Sequence, residues 1–97
     1  MKNWKIKPIE ITLDFDGDIG YYSGDFDIEL EDDLSAEFVL VVRCKLIREY
    51  GYEPHYYNIE VQIDNLRIYH LYLRRIMLPD HEQRHLITQI KEQVVWS

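Results

Sequence analysis

The stretch from Asp14 to Asp33, DFDGDIGYYSGDFDIELEDD, constrains the fold more than any other part of the chain. Its second half alternates, with Phe26, Ile28 and Leu30 on one side and Asp25, Asp27, Glu29 and Glu31 on the other. Successive side chains of an extended backbone leave opposite faces, so a period of two predicts a strand with one wet face. On such a strand the four carboxylates stand in a row at a spacing of about 6.6–6.8 Å. Nine of the twenty residues are acidic, half of the eighteen carboxylates in the chain, and none is basic. A solvated face, with charge that keeps an edge strand from pairing, accounts for three or four of them. The remainder point to a surface matched to a basic partner, because like charges side by side cost stability.

The chain is 97 residues long with a formal charge of −7, which fits one small domain spanning residues 1–97. A field of that sign repels nucleic acid and anionic membrane and attracts basic protein surfaces. The only local basic cluster is Arg74-Arg75, with Arg67 and Arg84 further away, so no basic stripe supports direct nucleic-acid binding. The opening MKNWKIKPIE has no apolar core of a signal peptide, and no apolar run reaches membrane-spanning length. The single cysteine, Cys44, excludes an intramolecular disulfide and reads as a small core residue. A cytoplasmic location is the expectation.

Along the chain, Trp4, Ile6, Ile9, Ile11, Leu13 and Phe15 predict a first strand whose phase slips at Pro8. Asp16-Gly17-Asp18 is turn chemistry, and Tyr21 to Leu30 forms a second strand hairpinned to the first. Glu37 to Tyr50 is the longest extended run, apolar on both sides at its start, and reads as a central strand. After a loop from Gly51 to His55, Tyr57, Ile59, Val61 and Ile63 alternate with polar residues as far as a predicted turn at Asp64-Asn65. Arg67 to Leu73 is a candidate fifth strand. Asp80, with Gln83 three residues on, reads as a capping box, and Leu86, Ile87, Ile90 and Val94 follow helical spacing over about 81–95. The class is α+β: a four- to five-stranded, mostly antiparallel sheet with one C-terminal helix packed on a face.

Three further motifs bear on function. His81-Glu82-Gln83-Arg84-His85 matches H-E-x-x-H, in which histidines one helical turn apart grip zinc and the Glu activates water. Here the first histidine falls in the opening turn, and Thr88 and Lys91 stand where a further zinc motif needs Gly and His. Solvated helix residues are therefore the preferred reading of His81 and His85, and no cofactor or metal is expected. Asp14, Asp16, Asp18 and Asp25 echo a calcium loop, but Ile19 and Asp25 occupy its glycine and bidentate-Glu positions, which favours a polar hairpin turn. The segment Tyr50–Tyr57 carries five aromatic rings in eight residues, counting His55. Tyrosines there serve either as interface anchors or as rings packed over the sheet with wet hydroxyls.

The order of a long strand (FVLVVRCKLIREY), a Gly/Pro loop, the strand Ile59-Glu60-Val61-Gln62-Ile63 and a Pro-started helix resembles the small acidic proteins of phage and mobile-element genomes. The resemblance covers about 35–95 and assigns no residue roles. It implies a setting in which such proteins inhibit host enzymes.

The sequence thus predicts a non-enzymatic acidic binding protein, of the kind a phage encodes to block a basic nucleic-acid-binding or defence protein by mimicking the charge of DNA. Asp25, Asp27, Glu29 and Glu31 would match the partner, Asp14, Asp16 and Asp18 would extend the match, and Tyr52, Tyr56 and Tyr57 would anchor it. The alternatives are an immunity or antitoxin protein, a metal-dependent hydrolase built on His81, Glu82 and His85, and a structural or assembly component.

Overall fold

A computed structural model describes residues 3–31, 33–47, 55–70 and 74–96. The class is α+β: a five-stranded antiparallel sheet, a separate parallel strand pair and one helix near the C-terminus. The elements are β1 (Ile9–Ile11), β2 (Asp14–Asp16), β3 (Ile19–Glu31), β4 (Leu34–Ile47), β5 (His55–His70), β6 (Arg75–Ile76), α1 (Asp80–Glu92) and β7 (Val94–Trp96). The main sheet runs in sequence order, β2-β3-β4-β5-β6, and its long strands stretch the molecule to 52 × 23 × 21 Å.

Alternation places the core. From β4, Ala36, Phe38, Leu40, Val42, Cys44 and Leu46 all point to one face and are buried. Opposite five of them on β3, from Cys44 back to Ala36, lie Gly20, Tyr22, Gly24, Phe26 and Ile28 in turn. Leu86 and Ile90 of α1 close over this face, joined by Ile9, Ile11, Leu13 and Val94. Leu40, Val42, Leu86 and Ile90 are the largest side chains cut off from solvent, each worth about 1.5–3 kcal/mol of burial. Tyr22, Phe26 and Phe38 continue the core as a run of rings, 6.1 Å and then 5.9 Å between centroids. The Tyr22 ring lies along the strand over Gly24, where a side chain would collide with it.

The structure corrects several boundaries. The expected first strand divides: β1 pairs in parallel with β7, and only β2 forms the hairpin with β3. Gly17 at φ 61° supplies the positive φ which that tight turn needs. The expected turn at Asp64-Asn65 is absent, because β5 runs unbroken for 16 residues. Its register slips twice against β4, once beside Asn58 (φ 49°) and once beside Asn65 (φ 55°). Both are bulges, in which a left-handed residue takes up the extra length. The fifth strand is therefore β6, while Arg67–His70 belongs to β5. The expected capping box is also replaced. Pro79 is the N-cap, Asp80 is already helical, and the Gln83 N–H donates to the Pro79 carbonyl at 2.9 Å. The helix ends at Glu92, so Val94 reaches the core from β7, one residue after Gln93 accepts from the Ile9 N–H at 2.8 Å. No helix among the described residues is long and apolar enough to cross a membrane.

Candidate partner-binding surface

The acidic row is formed as the alternation requires. Asp25, Asp27 and Glu29 are exposed on the sheet face away from α1, while Phe26, Ile28 and Leu30 turn inward. Glu31 is exposed too, but the register against β4 slips between Glu29 and Glu31 and sets Glu31 opposite Leu34. The cross-strand register then shows what surrounds them. Asp25 stands opposite Val39 and then Asp64, Asp27 opposite Glu37 and then Arg67, and Glu29 opposite Ser35 and then Tyr69. Glu37 and Asp64 therefore extend the acidic surface inward over β4 and β5. A depression of about 440 Å³ on this face is lined by Asp25, Asp27, Glu37 and Arg67.

Arg67, directly opposite Glu37 and lining the same depression as Asp25 and Asp27, is the cation within side-chain reach of the centre of the row. Arg75 pairs with Tyr69 and is one strand further out. Arg43 lies beyond the row, with its guanidinium 5.8 Å from the centroid of the Tyr21 ring. Asp64 accepts from Gln62 Nε2 at 3.0 Å.

The remaining expected site residues are dispersed. Asp14 and Asp16 stand on β2 opposite Tyr21 and Ile19, at the far end of the same outer face, with Asp18 in the turn beyond them. The Asp18 carbonyl accepts from the Leu46 N–H at 2.7 Å, which ties the turn to β4. Tyr56 and Tyr57 are neighbours on a strand and so take opposite faces. Tyr57 is exposed opposite Lys45, whereas Tyr56 packs edge-on against Trp96 at 6.3 Å. From Lys45 to Glu37 is eight residues of strand, about 26 Å, so Tyr57 and the acidic row cannot grip one small feature together. Tyr52 lies outside the described residues.

The helix histidines do not converge on further ligands. His81 is exposed, and His85 Nε2 lies 3.2 Å from Asn3 Oδ1. Among the described residues no group of three or more His, Cys, Asp or Glu side chains could hold a metal ion. Cys44 is buried beneath the sheet. Burial pushes its thiol pKa up, and a hydrogen bond from the Gly20 backbone partly offsets this.

One feature left no signal in the sequence. The N-terminal segment runs beside β3 and forms with it a groove of about 790 Å³. Trp4, Phe26 and Ile28 line it, with Lys5 and Lys7 on one side and Glu29 and Glu31 on the other. The alternation of Trp4 and Ile6 predicts a strand there, but residues 3–8 form none, and the groove depends on where that segment lies against β3.

No family model, curated protein or solved structure matches the chain.

Proposed function

We propose that the chain is a non-enzymatic binding protein whose acidic sheet face engages a basic protein surface. The observation that carries this is the exposed row Asp25, Asp27 and Glu29, continued by Glu37 and Asp64 and ended by exposed Glu31 at the slip in register, with Arg67 as the cation nearest its centre. Burial of apolar residues does not require such a row, and its like charges cost stability. Its spacing of about 6.6–6.8 Å matches every second phosphate of a DNA strand, whose phosphates repeat at about 3.4 Å. A groove built for DNA would thus accept it. The resemblance to phage-borne acidic proteins makes an inhibitor of a nucleic-acid-binding or defence protein the leading form of this reading.

The test compares wild type with the variant Asp25→Asn, Asp27→Asn, Glu29→Gln and Glu31→Gln as baits in host lysate, washed at low and then raised salt. Wild type should hold a basic protein that salt releases, and the neutralised bait, shown by circular dichroism to be folded, should lose it. Equal capture by both baits with the same salt dependence would sink the reading.

A further inference from the structure

We propose that the open edge of β3 and the groove beside it receive an extended segment of the partner by strand addition, the segment alternating basic and apolar side chains. This deepens the reading above and rests on it.

Backbone direction is the first ground. Because the Asp18 carbonyl accepts from Leu46 on β4, the even-numbered residues of β3 face β4 and the odd-numbered ones face away. β2 covers that outer side only from Ile19 to Tyr21. Ser23, Asp25, Asp27 and Glu29 therefore turn their N–H and C=O groups to the open side, where no strand among the described residues pairs with them. An added strand would find a ready ladder there.

Side-chain direction is the second. Residues of an added strand opposite Asp25, Asp27 and Glu29 share the outer face with those carboxylates. The residues between them fall on the inner face, beside Phe26, Ile28 and Trp4, which line the groove. Charge completes the case. Glu10, Asp27, Glu29 and Glu31 line the groove against Lys5 and Lys7, four negative charges to two positive. A second copy of β3 would set acid against acid, whereas a basic strand would be drawn in. The same acids that keep copies of this chain apart select the sign of a foreign strand.

The probe is a blocked heptapeptide alternating lysine and valine, measured by fluorescence anisotropy with the full chain. One control has the same composition with its lysines grouped together. The other is N-methylated at the lysines, whose N–H groups would meet β3. The alternating peptide should bind at least about tenfold tighter than either control, since three edge hydrogen bonds are at stake. Lys5→Gln with Lys7→Gln should tighten it further, and an unchanged affinity would overturn the groove as the seat. Equal binding of all three peptides, released by salt, would overturn strand addition and leave the acidic-face reading standing. Binding by none would overturn strand addition as well, with the acidic face then judged by the lysate comparison alone. A homodimer paired through β3 would overturn it too, by showing the edge already filled.

Discussion

The two long outer strands of the sheet each leave an edge unpaired, and they guard it differently. On β3 the residues whose backbone faces outward from Ser23 to Glu29 include Asp25, Asp27 and Glu29, so charge stands at the open ladder itself. On β5 the outward-facing residues include Val61 and Ile63, whose side chains turn toward the core, and among the described residues β6 pairs with Ile68 and Tyr69, next to the bond from the His70 N–H to the Arg74 carbonyl. There the guard is geometric. Bulges at Asn58 and Asn65 bend the strand at both ends of its open run and leave a short straight template. A bulge turns away any incoming strand, whereas a row of carboxylates turns away some and attracts others. The contrast singles out β3 as the edge suited to recognition.

Proline makes the sharpest probe of this contrast, because it removes one N–H and nothing else from the ladder. Ile28→Pro strikes a residue facing β4 and should cost on the order of 3 kcal/mol more than Ile28→Ala, through a lost ladder bond and an unpaired acceptor. Asp27→Pro strikes the open side and should cost less than about 1 kcal/mol relative to Asp27→Asn. Urea unfolding of the four variants decides it. Similar penalties at both positions would mean that the β3 edge is not open.

The guard on β5 yields a smaller effect. Asn58→Val and Asn65→Val each force a branched side chain into left-handed backbone and should destabilise by about 1–2 kcal/mol, while Asn→Gly at either position should change little. Thermal melts of the four variants would show it. If the valine variants melt like wild type, the bulges are not fixed by these residues, and β5 could straighten into a second receptive edge.

How far these features could be read from the chain depends on whether local pattern or distant contact fixes them. The two faces of β3 and β4 were legible because Asp25–Leu30 and Phe38–Leu46 alternate in sequence, whereas the slip of β3 against β4 between Glu29 and Glu31 left no such signal. Asn65 misled because the residue chemistry of a turn and of a left-handed bulge is the same, and only the pairing with β4 tells them apart. Val94 continued the helical spacing of Leu86 and Ile90, yet its place is fixed by Ile9, 85 positions earlier in the chain. The acidic row was likewise written in the sequence. Its neighbours Glu37, Asp64 and Arg67 were not, since they depend on a register shifted by a bulge. Grouping Tyr56 and Tyr57 as anchors of one aromatic segment overlooked that a strand, which the alternation already began at Tyr57, sends the two to opposite faces.

Cys44 sits between the two guarded edges and gives the smallest prediction. Its partner on β3 is Gly20, and on its other side β4 meets the Asn58 bulge, between the pairs Arg43–Glu60 and Lys45–Tyr57. A side chain at Gly20 would approach Sγ to 2.8 Å and the Phe15 ring equally closely, so β3 passes close over the thiol there. Burial raises the thiol pKa above its ordinary value of 9.0, which means that the folded state favours the neutral form. The contribution is therefore complete below about pH 9 and is lost as pH rises through the folded pKa, because the unfolded chain releases its proton first. Urea midpoints for wild type and Cys44→Ala, compared at about pH 8 and about pH 10, isolate this from tyrosine and lysine titration common to both. Wild type should lose more stability across that interval than the variant. Parallel losses would mean that solvent reaches the thiol, and that the sheet opens beside the Asn58 bulge instead of holding its register there.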